Sequence, residues 1–482
     1  MLKNQELLKE ISKWKLEAKL EDNDRYFFHL NELQSIEDGN HCYVIGRKGT
    51  GKTAISEYLL KKQDPKIFSV KHSFKNFPFN DLYKLANNSY QSPNQYITLW
   101  KYLIYSSVAK LFIKNNNIDS LLRSRLEKVY SDDPIVSLPR TVTRWTSQSF
   151  DVGILGNKIA KAGNQTFIEN DNTWMERVQI LENLIINNID NCSYRIIFDE
   201  LDEDYKDILN PQKQNQYTSL LTSLFKAVQD VKAVFNNSNH SLLPVIFLRD
   251  DIYSLLSDPD KNKWDDLIVE LDWSANSIKK LLSFRISRAI SSDNINLKFE
   301  DAWDQIFYER RFKHDKVSIF HHITLHSLIR PRDYVRYIKV CADYALSRDN
   351  PKIDNDTVKR VNPAFSNYMR REWEDEIHGF FPEIQQTIEV FSQLRKQIFT
   401  IEEFTKIYND QVKKGAIEEK NVDFVLRALF YFSVIGNQPV GQEYKIFRYK
   451  NKEARINLSE PFCVHNGLIR SVGIPFSATS ID

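Results

Sequence analysis

The chain has 482 residues, 66 Lys+Arg against 64 Asp+Glu for a formal charge of +2, and 42% hydrophobic residues. At roughly 100 to 200 residues per domain this predicts about three domains, and the near-neutral balance argues against coating nucleic acid by bulk attraction while permitting a local basic patch. The cysteines Cys42, Cys192, Cys341 and Cys463 stand far apart with no C-x-x-C pair, so neither a zinc ribbon nor a disulfide framework is indicated and a reducing cytoplasm is expected. No apolar run reaches the roughly 18 to 20 residues that span a bilayer, and the opening MLKNQELLKE lacks a signal peptide's apolar core, so no membrane insertion is expected.

Residues 1–40 read as an N-terminal helical extension. Glycine is scarce, thirteen in the whole chain, yet Gly46, Gly49 and Gly51 crowd together in HCYVIGRKGTGKTAISEYLLKK. An apolar run from Cys42 to Ile45 suits a buried parallel strand, and Ile55, Tyr58 and Leu59 follow at helical spacing. Gly46, Arg47, Lys48, Gly49, Thr50, Gly51, Lys52, Thr53 and Ala54 therefore form a P-loop in its strand-loop-helix setting. Its backbone N–H groups and the helix N-terminus turn toward phosphate. Lys52 is placed to neutralise the β and γ phosphates of ATP and the Thr53 hydroxyl to ligate Mg²⁺.

Lys66 to Val70 reads as a second strand. YRIIFDELDED follows much later, an apolar strand from Tyr194 to Phe198 ending in Asp199 and Glu200. This is a Walker B pattern, in which Asp199 holds the Mg²⁺ shell and Glu200 orients and deprotonates the attacking water; the bland alternative is an acidic loop capping a strand. After a helical stretch from Tyr217 to Val231 come strands Leu243 to Leu248 and Leu267 to Leu271. Alternating strands and helices predict an α/β core over 41–276, a parallel sheet with helices on both faces and ligands at the carboxyl ends of its strands. Arg249 lies at such an end, suited either to sensing the γ phosphate or to an ion pair with Asp250 or Walker B. The Asn-rich stretches 114–117 and 236–240 read as loops.

From 277 to 380 long amphipathic patterns without a convincing strand predict an all-helical lid. SIKKLLSFRISRAI interleaves Arg285 and Arg288 with apolar residues. In SLIRPRDYVRYIKVCADYAL, Pro331 starts a helix, with Tyr334, Ile338, Cys341 and Tyr344/Ala345 as its buried stripe. Arg330, Arg332 and Arg336 remain for other work, and Arg332 is the first choice for reaching the γ phosphate. His321, His322 and His326 have no paired carboxylate or cysteine pattern and read as ordinary lid residues. Residues 381–482 carry helical patterns at Ile384 to Leu394, Ile401 to Val412 and Val422 to Phe432, then strand-like stretches Tyr444 to Lys450 and Ala454 to Leu458 that read as a β-hairpin.

Together these features resemble the AAA+ and STAND-like P-loop ATPases, in the branch that holds origin-recognition ATPases and bacterial conflict-system ATPases, over roughly residues 40 to 350. The resemblance implies a homo-oligomer whose sites are completed by an arginine finger, Arg285 or Arg288, and an anti-phage defence role beside a separate effector protein. It also implies that the last unit is a winged helix. That unit then either holds DNA through Lys445, Arg448, Lys450 and Lys452, the third helix carrying only Arg427 among apolar residues, or serves protein docking or packing. The chain departs from the family in the helical insertion at about 72–190, which either carries partner specificity or pads the core.

Overall fold

The computed structural model describes residues 2–75, 79–84, 91, 94–130, 174–204, 210–236, 241–291, 296–308 and 317–475. They form two compact units, one of His29–Arg47 and Lys52–Leu271, the other of Met1–Phe28, Lys48–Gly51 and Asp272–Asp482. The expected lid and C-terminal domain thus share a unit with most of the N-terminal extension, whose residues from His29 onward go with the sheet. All four cysteines are free and buried. Among the described residues no helix is long and apolar enough to cross a membrane.

In the sheet unit, β1 (Tyr43–Ile45), β2 (Ile67–Ser73), β3 (Ser193–Asp199), β4 (Ser241–Leu248) and β5 (Ile268–Glu270) form a parallel sheet of order β2-β3-β4-β1-β5. Central parallel strands are covered on both faces and read as unbroken apolar runs; Tyr194, Ile196, Ile197 and Phe198 of β3 are accordingly fully buried. The edge strand β2 alternates instead. Ser69 and Lys71 bond to the helix Lys52–Lys61, while the rings of Phe68 and His72 meet Tyr194 and Phe198 on the other face. There His72 also bonds Ser107 of the helix Ile97–Lys114 at 2.8 Å. Period-two alternation has thus sorted one strand's side chains between two helical layers.

The helix Ile97–Lys114 belongs to the expected insertion, yet it is core. It is apolar nearly all round and buried at Trp100, Leu103, Ile104, Val108 and Phe112, and the Trp100 indole N–H donates to the Leu220 carbonyl at 2.9 Å. A helix without a polar face has to be enclosed, and this one packs on β2 and β3 between the helices Trp174–Asn188 and Pro211–Asn236. Residues 131–173 of the insertion lie outside the described residues, as does the expected loop 236–240 from 237 onward.

In the helical unit, the helix Ala275–Ile290 opens with a Ser274–Ser277 capping box, and the helix Leu2–Ser12 packs against it and against the helix Pro331–Ser347. The lid is not wholly helical, since β6 (Phe307–Tyr308) and β7 (Ile353–Asp354) pair in parallel. Beyond it run the helix Ile384–Leu394, β8 (Ile398–Phe399), the helices Ile401–Lys413 and Val422–Tyr431, β9 (Ile435–Asn437) and β10 (Phe462–Val464). The strands make an antiparallel sheet of order β8-β10-β9. The expected hairpin of Tyr444 to Lys450 with Ala454 to Leu458 is not formed; from these stretches Ile446 alone bridges to Asn437. Burial decides the pairing, because every residue of β9 and β10 is enclosed whereas Tyr444 is 55% exposed. Gly436 permits the close approach, as a Cβ there would come within 2.5 Å of the Ile446 carbonyl oxygen.

Candidate functional site

The P-loop starts where the Gly46 N–H donates to the Leu248 carbonyl of β4 at 3.2 Å. Gly49 and Gly51 adopt φ of 84° and 104°, in the left-handed region that side chains strain to enter. Lys52 begins the following helix and donates to the carbonyls of Gly46 at 2.7 Å and Arg47 at 3.0 Å. Burial lowers its pKa, against the pull of Asp202 and Asp250. Thr53 and Ala54 continue the same first turn.

The loop residues Lys48–Gly51 pack within the helical unit. Arg330, 1% exposed, forks onto Asp333 with Nε to Oδ2 at 3.1 Å and Nη2 to Oδ1 at 3.0 Å. Its Nη1 donates to the Lys48 carbonyl at 3.1 Å and reaches Glu376 at 3.4 Å. Ile329, a β-branched residue at φ 53°, delivers the arginine from a strained turn, and the Leu328 N–H to Asp333 Oδ2 bond at 3.0 Å closes it. The Trp273 indole N–H donates to the Thr50 carbonyl at 2.9 Å. Lys48 pairs with Glu372 at 3.6 Å, and Arg332 reaches the same carboxylate at 3.4 Å. The Arg332 side chain lies along Gly49, whose Cβ, if present, would stand 3.3 Å from the arginine Cβ. Of the two arginines flanking Pro331, sequence reasoning favoured Arg332; the buried grip on the loop backbone belongs to Arg330.

At the carboxyl end of β3, Asp199 is 3% exposed. Its Oδ1 accepts the Glu200 N–H at 2.9 Å, while Oδ2 accepts Ser56 Oγ–H at 2.7 Å and Lys71 Nζ–H at 2.7 Å. Glu200 sits at φ 60°, a strained turn that carries it out of the strand line, and the Ser73 hydroxyl, directly across the register from Asp199, donates to its carboxylate. The two acids therefore have separate surroundings. Ser73 and Lys71 carry no motif signal; only their shared parity on β2 places them on the P-loop helix side.

Arg249 realises the ion-pair alternative, with Asp251 as partner: Nε and Nη2 fork onto its carboxylate at 2.9 and 2.6 Å, and Nη1 reaches Asp202 at 3.6 Å. Arg285 is 8% exposed, sandwiched between Trp14 and Tyr26 at 4.7 and 4.8 Å and paired with Glu21. Within this chain the guanidinium is thus enclosed by the N-terminal residues Trp14, Glu21 and Tyr26. Arg288 is half-buried over Phe284 at 4.9 Å. Of the wing cations, Arg448 stacks on Tyr431 at 3.8 Å and Lys452 pairs with Asp272 at 3.7 Å, whereas Lys445 is half-buried and Lys450 exposed.

Residues 276–373 match the family described as the FunZ-associated C-terminal helical domain, a span that includes Arg285, Arg288, Arg330 and Arg332. A transposon gamma-delta protein of 80.3 kDa from Escherichia coli strain K12 is 21% identical over 384 residues, 75% of this chain and 51% of that protein, so the chain spans about half the length of this relative. Among solved structures, the Aeropyrum pernix ORC1 protein in complex with DNA shares 10% identity at a TM-score of 0.41, covering 94% of this chain and 96% of that one. The RuvB Holliday junction branch migration motor of Thermotoga maritima shares 12% identity at a TM-score of 0.28, covering 88% and 91%.

Proposed function

We propose that the chain is an ATP hydrolase that works as a nucleotide-driven switch. The observation that carries this reading is one sheet presenting a glycine-shaped P-loop after β1 and, at the end of β3, a buried Asp199 beside a Glu200 turned out of the strand onto Ser73. Lys52, now on two loop carbonyls, binds the β and γ phosphates, and the N–H groups of the loop and first helical turn cradle them. Glu200 takes the proton of the attacking water as that oxygen bonds to the γ phosphorus and ADP departs. The donor set fits Mg²⁺, a hard cation that takes one or two carboxylate or hydroxyl oxygens beside substrate phosphates; Thr53 and Asp199 would hold it, and when bound it neutralises phosphate charge. Arg332, lying along Gly49, is the lid residue for the γ phosphate, and Arg249 orders the end of β4 behind the site.

The test is Glu200→Gln, expected to keep nucleotide binding while phosphate release falls by about 10² to 10⁴-fold. Release at the wild-type rate would reject the assignment.

The finer reading follows from the family resemblance: a cytoplasmic homo-oligomer with Arg288 as the finger, controlling a separate effector in anti-phage defence. Phage challenge of cells carrying the chain with and without its neighbouring gene tests it, and equal survival counts against it. One observation favours a second reading as a DNA-binding loader. The C-terminal region runs helix-strand-helix-helix-strand-strand, an order compatible with a winged helix, and its loop between β9 and β10 carries Lys445, Arg448, Lys450 and Lys452. Salt-dependent retention on duplex DNA, lost on changing Lys445 and Lys450 to Glu, would support that reading.

A further inference from the structure

Lys71 is a buried cation with no part in the hydrolysis scheme above. Its Nζ stands 2.7 Å from Asp199 Oδ2, 2.9 Å from Glu57 Oε1 and 2.8 Å from Ser56 Oγ. The side chains of Lys71, Glu57 and Asp199 are each less than a tenth exposed. Two carboxylates thus share one ammonium. Asp199 Oδ2 carries both Lys71 and Ser56, and Oδ1 is held by the Glu200 N–H.

We propose that Lys71 is a tethered competitor of the divalent cation at Asp199, with Glu57 as the partner that keeps it when the metal arrives. The inference rests on the ATPase reading and deepens it: the chain takes up a divalent ion only together with the phosphates that help to displace Lys71. A single positive charge and a divalent ion crowded onto one carboxylate, about 4 Å apart, repel strongly enough to lower metal affinity tenfold or more even at the dielectric constant of water. Glu57 makes the exchange inexpensive, because Nζ can release Asp199 and remain paired. Glu57 itself lies on the helix that the P-loop opens, one residue past Ser56, so the parking site and the phosphate site share one rigid element.

The test is Mn²⁺ binding to the full chain by electron paramagnetic resonance, with and without adenylyl imidodiphosphate. The wild type should bind Mn²⁺ weakly alone and tightly with the analogue. Lys71→Met should raise the affinity for Mn²⁺ alone at least tenfold, whereas Glu57→Gln, which leaves Lys71 to Asp199, should lower it. Opposite signs are not what a merely structural ion pair produces; if both variants lower the melting temperature and leave Mn²⁺ affinity unchanged or equally weakened, the proposal is wrong. Should Lys71→Met fail to fold, the charge-balanced pair Lys71→Met/Glu57→Gln is read against Glu57→Gln, and the same rise is required. A wild type that binds no analogue overturns the ATPase reading, and this proposal with it; normal analogue binding with equal Mn²⁺ affinities overturns the Lys71 proposal alone.

Discussion

Removing the Arg330 guanidinium should uncouple the stability of the helical unit from its hold on the P-loop. The group makes two bonds to Asp333, at 3.1 and 3.0 Å, and one to the Lys48 carbonyl at 3.1 Å, with both side chains almost fully enclosed. Arg330→Met strands the Asp333 carboxylate in the interior with the Leu328 N–H as its remaining donor in the turn, and breaking a buried pair by removing one partner costs about 3 to 5 kcal/mol. Replacing the pair with apolar groups is close to neutral, so Arg330→Met/Asp333→Leu should regain most of that loss. The double variant still lacks the donor to Lys48, worth about 1 kcal/mol, and its affinity for an ATP analogue should stay roughly fivefold weaker. Urea denaturation by circular dichroism and fluorescent-analogue titration measure the two effects. A single variant within 1 kcal/mol of the wild type, or a double variant that binds as tightly as the wild type, would refute the argument.

Three further outcomes are expected. Gly49→Ala places a Cβ 3.3 Å from the Arg332 Cβ at φ 84°, so it should weaken analogue binding by about 1 to 2 kcal/mol in an equilibrium titration. Arg285→Ala removes the cation between Trp14 and Tyr26 and unpairs Glu21; a melting scan should show a loss of about 2 to 4 kcal/mol, with nucleotide binding kept. His326 donates from Nδ1 to the His322 carbonyl at 2.8 Å and accepts at Nε2 from Asn362 at 3.1 Å, and burial pushes its pKa down to about 4. The unfolded imidazole titrates near 6.5, so the stability this neutral histidine confers is complete above pH 6.5 and drains away as pH falls toward 4, by up to about 3 kcal/mol. Denaturation at stepped pH should show that slope in the wild type and a flatter one in His326→Gln.

The sheet was legible because buried parallel strands must be apolar throughout; the runs at Cys42, Tyr194 and Leu243 have no other economical use. The P-loop and the Asp199–Glu200 pair were legible for the same reason in reverse, since glycine crowding and adjacent acids at a strand end are poor choices for packing. Lys71 and Ser73 were not, because one lysine and one serine on an edge strand gain meaning only from the register with β3 and the helix above them. Arg330 and Arg332 flank the same proline and look alike in sequence; the difference lies in the strained turn at Ile329, which buries one and leaves the other along Gly49. The expected hairpin failed because alternating aromatic and basic residues fit a half-buried strand as well as an exposed loop, and the enclosed stretches Ile435–Asn437 and Phe462–Val464 took the pairing.

The most direct measurement is a structure of the Glu200→Gln variant trapped with Mg²⁺ and ATP. The account predicts intact triphosphate along residues 46–54, with Lys52 moved from the Gly46 and Arg47 carbonyls onto its β and γ oxygens and Asp199 turned to the metal. Triphosphate bound elsewhere, or Lys52 still on those carbonyls with nucleotide present, would contradict it.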